Sequence, residues 1–409
     1  LRSDERGRSV LSGEWQARLL AALRKRTADM AGMLGRFARS ESPSDAKAHV
    51  DRFGRMVAAE WKRVGARVER LPQRNCGDHL RVSWSTGPMG STVPAGKAGR
   101  PGQILVLGHL DTVYAAGTLA RMPFRVSRGK AYGPGVFDMK GGLVIALFAV
   151  EARQRARLAH TLDGAAQRPV VFLWTSDEET GSATSRKIIE SEARHSAAVL
   201  VLEPAGGPEG RLKTQRKGVG TAELLITGKS AHAGLNPEDG VNAVTEMALQ
   251  ITRLGRLNQP KRGITVNATI AEGGTRSNVI PASARVTVDL RAENLADTRA
   301  VERGLRGLRP ILPGAKLEVR GGFSRPPLER CASAALFLSA REVGAAMGLE
   351  LGEIAAGGGS DGNFTAALGV PTLDGLGAVG EGAHSDDEHV LIRALPERAA
   401  LLAGLLGIL

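Results

Sequence analysis

Five short segments carry the residue types that do hydrolytic or metal chemistry. His109 and Asp111 stand two apart in GHLDTV, and Asp138 lies in YGPGVFDMKGG between a Gly-Pro-Gly turn and a Gly-Gly helix start. Glu178 and Glu179 follow Asp177 in TSDEETGS, Glu203 lies in VLEPA, and His384 in GEGAHSDDEH. The first four segments deliver their side chains where a predicted strand ends, the edge at which open α/β sheets place their sites. In extended backbone His109 and Asp111 point the same way, so the Asp111 carboxylate can hold the imidazole and raise its basicity as a ligand. Three consecutive acids after the apolar run VVFLWTS repel one another unless something positive belongs beside them. Two histidines with three or four carboxylates suit a pair of divalent ions, zinc foremost. Singly, each residue has a plainer reading. Asp138 fits a helix N-cap, Glu203 before Pro204 a surface turn, His384 an exposed loop, and His109 a satisfied polar residue. The three acids fit a solvated turn. The joint pattern is what points to metal.

The surrounding sequence supplies elements to position these residues. Residues 14–39 show apolar side chains at helical spacing, and a second helix is expected from about Ala46 to Val64. QILVLGHLDTV, PVVFLWTS and AAVLVLEPA read as strands, with helices in GGLVIALFAVEARQRAR and GSATSRKIIESEAR. Apolar strands separated by helices imply a largely parallel sheet covered on both faces. STGPMGSTVPAGKAGRPG reads as a surface loop. From about Lys213 the pattern becomes β-α-β-β-α-β, the order of a split βαβ, ferredoxin-like domain. After Pro326 the α/β pattern resumes, with helices near Ala332–Met347 and 394–408. The expected organisation is a catalytic domain of residues 1–213 and 327–409 with a lid and dimerisation domain, 214–326, inserted into it.

Composition narrows the function classes. A chain of 409 residues with 42% hydrophobic and 24% charged residues is globular and too long for one ordinary core. No apolar run approaches the roughly 20 residues that span a bilayer, so no membrane partner is expected. The net charge of +13 is spread along the chain and aromatics are 4%, which argues against a nucleic-acid partner and for a field that favours small anionic substrates. Cys76 and Cys331 are far apart and form neither a disulfide framework nor a thiolate site; both are expected to be free small core residues. No secretory leader is visible, so a cytoplasmic location is the default, with export open if a leader has been removed.

GHLDTV, YGPGVFDMKGG, DEETGS, LEP, GKSAHAG, SNVIPASA and AHSDDE, in this order from about Phe37 to the end, resemble the co-catalytic di-zinc metallopeptidase and aminoacylase family. That family includes glutamate carboxypeptidase, acetylornithine deacetylase, succinyl-diaminopimelate desuccinylase and the tripeptidases. GHLDTVYAAGTLARMPFRV, KAYGPG and SNVIPASA are most similar to glutamate carboxypeptidase. The resemblance implies two zinc ions per chain, with Co²⁺ or Mn²⁺ as substitutes, bridged by Asp138. His109 and Glu203 complete one ion's ligands, and Glu179 and His384 the other's. It implies Glu178 as general base, Asp111 as support for His109, and His232 of GKSAHAG as an oxyanion donor reaching a neighbouring subunit of a homodimer. Asn278, Arg291, Arg325 and Arg211 match positions that orient the substrate's carboxylate, and the loop holding Gly359 and Ser360 offers it backbone N–H groups. Glu rather than Asp at 203 is typical of carboxypeptidases and deacylases. The implied reaction is release of a C-terminal, glutamate-like amino acid from a peptidyl or N-acyl substrate, and the alternative is an N-acyl-amino-acid deacylase. A ligand-binding relative without activity is the third reading, against which the intact Glu178 and ligand set argue. The sequence departs from glutamate carboxypeptidase at Arg211, where a lysine is usual, and at Met139, where an aspartate is. A cis bond between Asp138 and Met139 is also implied.

Overall fold

Every residue of the strand Val170–Thr175 is buried, and its alternate side chains enter two different cores. Val170, Phe172 and Trp174 point to one side with Ile104, Val106, Ala198 and Leu200. Val171 and Leu173 point to the other with Leu105, Leu107, Val199 and Val201. The period of two puts a hydrophobic surface on each face, and both must be covered. In this computed structural model, which describes residues 2–3, 9–10, 13–85, 102–158 and 168–409, helices do so. The helices Thr27–Ala38, Lys47–Arg63, Gly141–Leu158 and Ala394–Ile408 contribute to the first core, and Arg186–Arg194 and Gly362–Ala367 to the second.

The sheet has six strands in the order Thr372–Leu373, Ser196–Val201, Gln103–His109, Val170–Thr175, His79–Trp84, Arg67–Leu71. The first four are parallel and the last two antiparallel to their inner neighbours. Three adjacent parallel strands therefore end on one edge, at His109, just before Asp177–Glu179, and just before Glu203.

The chain divides into two units. The larger comprises Leu1–Thr214, Arg330–Ala355 and Ser360–Leu409, and the smaller Gln215–Glu329 and Ala356–Gly359. The expected insertion of 214–326 thus differs by a few residues at its ends, and a glycine-rich return, Ala356–Gly359, clusters with the smaller unit. That unit has a four-stranded antiparallel sheet in the order Thr265–Gly273, Ser283–Ala292, Gly218–Thr227, Lys316–Arg325. Its helices Ala243–Leu254 and Leu295–Arg306 start where Asn242 and Asn294 accept backbone N–H bonds. Leu224, Ile226, Val286, Val288, Leu290, Val301 and Leu305 form its core. The order β-α-β-β-α-β follows the sequence pattern.

The expected helix of residues 14–39 is two helices, Gly13–Arg24 and Thr27–Ala38. Arg26 is non-helical at φ −104°, ψ 13°, and its guanidinium pairs with Asp29 and Glu151 at 2.7 and 2.9 Å. Cys76 and Cys331 are both free, but Cys331 is exposed rather than in the core. The loop expected around 87–102 lies outside the described residues except at its last position. Among the described residues no helix is long and apolar enough to cross a membrane.

Candidate metal centre

His109 ends its strand with its side chain 1% exposed. Its Nδ1 lies 2.9 Å from the Asp111 carbonyl oxygen and 3.4 Å from the Asp111 carboxylate. The carboxylate expected to orient this ring therefore shares the task with its own backbone. Asp111 is itself held by Ser44 Oγ at 2.8 Å and the Glu179 N–H at 3.3 Å. With the Nδ1 proton directed at oxygen, Nε2 faces Asp138 Oδ1 at 3.2 Å and Glu203 Oε1 at 3.5 Å.

His384 mirrors this from the far end of the chain. It stands at φ +63°, a left-handed conformation in a Gly-rich turn, with Nε2 3.4 Å from both Asp138 Oδ2 and Glu179 Oε1. Asp138 thus turns one carboxylate oxygen to each imidazole. The peptide bond from Asp138 to Met139 is cis, as the family resemblance implied. His109, Asp138 and Glu203 form one group of potential ligand atoms lying within 4.8 Å of one another, and Asp138, Glu179 and His384 form a second.

The electrostatics call for positive charge. The carboxylates around His384 push its pKa up to about 10. Burial opposes charging His109, yet Asp111, Asp138 and Glu203 raise its pKa well above the ordinary value. Burial likewise opposes ionisation of Asp138, and the two imidazoles outweigh it, holding the carboxyl below the usual range. Burial raises Glu179, whose Oε1 receives no hydrogen bond. An imidazole nitrogen facing two carboxylates must be protonated or bound to a cation, and an orphaned carboxylate oxygen is satisfied by the same ion. The donor set of imidazole and carboxylate fits two divalent ions.

Glu178, half-buried, lies between Asp177 and Glu179, and its carbonyl accepts the Gly181 N–H at 3.0 Å. Arg211 is exposed and donates to Glu209 at 3.3 Å. The Ser360 hydroxyl donates to Asp374 at 2.6 Å and its N–H to Asn363 Oδ1 at 2.9 Å, so this loop N–H is spent within the fold rather than offered to a carboxylate.

The other expected substrate residues belong to the smaller unit. His232 is exposed, and its Nδ1 accepts the N–H groups of Gly234 and Leu235, both at 3.1 Å. That fixes the tautomer with the proton on Nε2. Asn278 is exposed, its carbonyl accepting the Ala233 N–H at 3.0 Å. Arg291 forks onto Asp289 at 2.9–3.2 Å. Arg325 is buried beside Gly359, where a Cβ would meet its Cδ at 3.1 Å. Arg216, not singled out in the sequence, is buried and donates to the carbonyls of Gly358 and Gly359 at 3.1 and 3.3 Å.

Cys76, His79 and Asp177 make a third buried group of ligand types. Thr184 Oγ1 stands among them, 3.2 Å from Cys76 Sγ, 3.0 Å from His79 Nε2 and 2.8 Å from Asp177 Oδ2. The Ser176 N–H donates to His79 Nδ1 at 3.1 Å, so the ring proton sits on Nε2 and is given to Thr184, whose own proton goes to Asp177. Metal on Nε2 would require a proton on Nδ1, facing the Ser176 N–H. This group is a hydrogen-bonded knot, and it gives Asp177 a part in fixing the turn that follows. The backbone N–H of Thr184 adds a bond to Asp177 at 2.7 Å. Glu388, not singled out in the sequence, is buried and accepts the N–H groups of Phe137 and Asp138; its signal is an acid that abuts the buried start of the strand His389–Leu391.

The chain matches Peptidase family M20/M25/M40 over residues 105–407. It belongs to that family. Carboxypeptidase G2 of Pseudomonas sp. (strain RS-16) is 33% identical over 363 residues, 86% of this chain and 82% of that protein. Acetylornithine deacetylase of Proteus mirabilis (strain HI4320) is 32% identical over 204 residues, 46% of this chain and 50% of that one. The fold is shared with the YXEP protein of Bacillus subtilis, described as a dinuclear metal binding peptidase. The TM-score is 0.62 at 16% identity, over 95% of this chain and 98% of that one. As a member of the M20 family this protein is a metal-binding hydrolase of the metallopeptidase class.

Proposed function

We propose that the protein is a two-zinc exopeptidase that releases a C-terminal amino acid, of the glutamate type, from a peptidyl or N-acyl substrate. The observation that carries this reading is Asp138, with one oxygen toward His109 and the other toward His384, in a set completed by Glu203 and Glu179. His109, Asp138 and Glu203 would hold one ion and Asp138, Glu179 and His384 the other, with Co²⁺ or Mn²⁺ able to replace zinc. Bound there, the metal pair supplies Lewis acidity that acidifies water and polarises a carbonyl.

The chain's own groups do the rest. Glu178, the residue before a ligand and itself half-buried, takes the proton of the attacking water and returns it to the leaving nitrogen. His232, locked as its Nε2–H tautomer, has a proton to donate to a developing oxyanion. In a homodimer it serves the neighbouring subunit's site. The outer strand Thr265–Gly273, exposed from Asn267 onward and paired on one side alone among the described residues, gives a second copy an edge to cover. Arg291 and Arg325 orient the substrate's carboxylate. Glu203 and the 33% identity to carboxypeptidase G2 favour a C-terminal residue as the leaving group.

The test is a hydrolysis screen of dipeptides, pteroyl-type glutamate conjugates and N-acetylated amino acids, with zinc present and then chelated. Release of the C-terminal residue from the first two classes, lost on chelation and restored by zinc, is expected. Glu178→Gln should keep its metal and lose turnover by at least about 10²-fold. Cleavage of N-acetylated amino acids alone would make the protein a deacylase instead.

A further inference from the structure

The carboxylate of Glu388 has no place in either ligand group, yet four donors converge on it. The N–H groups of Phe137 and Asp138 donate to Oε1 at 2.7 and 2.9 Å, and that of Gly135 to Oε2 at 3.1 Å. The Tyr114 hydroxyl lies against Oε2 and is also 2.9 Å from the Ser385 carbonyl. Glu388 is fully buried. These partners come from the three segments that bear His109, Asp138 and His384. Tyr114 closes the segment begun by His109, Gly135–Asp138 is the turn carrying Asp138, and Ser385 and Glu388 follow His384.

The geometry explains why a carboxylate stands here. Gly135 is left-handed at φ 72°, and Asp138 departs from helical angles at φ −115°, ψ 95°. A turn of this shape cannot place all its N–H groups in a helix or strand ladder, and buried N–H groups must be paired. One carboxylate accepts them together, through charge-assisted bonds.

We propose that Glu388, linked through Tyr114, is a positioning residue that sets the spacing of the metal centre. It fixes the turn that aims Asp138, and it ties that turn to the loop bearing His384. The proposal rests on the reading that Asp138 and His384 hold metal. Without this clasp the ion itself must order the Asp138 turn, so affinity falls and the coordination loses definition. Loss of such supporting partners typically weakens metal binding about 10–100-fold.

The test compares the full-length wild type with Glu388→Ala, Glu388→Gln and Tyr114→Phe. Zinc affinity is read by competition with a chromophoric chelator, and the Co²⁺-loaded proteins by their visible d–d spectrum. Glu388→Ala should weaken zinc binding about 10–100-fold and alter the Co²⁺ spectrum. Glu388→Gln should fall between it and wild type. Its Oε1 still accepts from Phe137 and Asp138, and its amide can donate to the Tyr114 oxygen, but Gly135 loses its acceptor. Tyr114→Phe should shift both readouts less. If Glu388→Ala does not fold, the other two variants decide. Wild-type affinity and an unchanged spectrum in both would overturn the proposal. A wild type that takes up no metal would sink the ligand reading and the clasp with it.

Discussion

Loading the metal-free protein with zinc at neutral pH should expel protons, and their number can be worked out from the site. His384 has its pKa pushed up to about 10 by Asp138 and Glu179, and His109 lies well above 6.5. The His384 side chain is 48% exposed, so solvent screens part of this effect. Both imidazoles are thus biased toward the protonated form, and each must be neutral to ligate. Between one and two protons should leave per chain. The product of the two binding constants should rise about tenfold to a hundredfold per unit of pH between about 6 and 8. Titration calorimetry at one pH in two buffers of different ionisation enthalpy counts the protons directly. Fewer than about half a proton per chain would refute the argument that the carboxylates hold protons where a cation belongs. The metal-free protein should show the opposite trend. A group whose pKa is raised by folding stabilises fully below its unfolded value, near 6.5, and that contribution is lost as pH climbs toward about 10. Thermal melts in chelator should decline over that window.

Three further outcomes follow from named contacts. His232→Ala should lower kcat about 10²–10³-fold. Mixing it with Glu178→Gln subunits should recover about a quarter of wild-type activity, since half of randomly formed dimers are mixed and hold one intact site; no recovery would exclude the cross-subunit role. Thr184→Val should leave the His79 Nε2–H without its acceptor and cost about 2–4 kcal/mol, seen as a lower denaturation midpoint, while metal analysis stays at about two ions per chain. Asp289→Asn should release the Arg291 fork and lower KM for substrates with a free α-carboxylate a few-fold, and Arg291→Ala should raise it; an unchanged KM in both would remove Arg291 from substrate binding.

Much of the site was legible because its signals are local. An apolar run that stops at His109, at the DEET turn or before Glu203 announces a strand end, and the alternation of the smaller unit announces its sheet. What could not be read depends on groups that meet only after folding. Apolar side chains keep helical spacing through Lys25 and Arg26, so no local rule breaks the helix there. The break accompanies an ion pair with Glu151, 125 residues away. The His79–Thr184–Asp177 knot joins the start of one strand to the end of its neighbour across about 100 residues. In AHSDDEH, Glu388 is one acid among three, and only burial separates it from Asp386 and Asp387. Ser360 shows the converse. Its glycine-rich loop fits ligand binding, but its N–H already has an intramolecular partner.

The two oxygens of Asp138 have a thermodynamic consequence. On the proposed two-metal reading one carboxylate serves both ligand groups, so the occupancies of the two groups are coupled rather than independent. Filling either group orients Asp138 for the other while adding charge beside it, and the balance of these two effects sets the sign of the cooperativity. By reciprocity each ion must change the other's affinity by the same factor. A substitution at His109 should therefore be felt in the affinity of the group around His384, although Asp138 is the one ligand the two groups share.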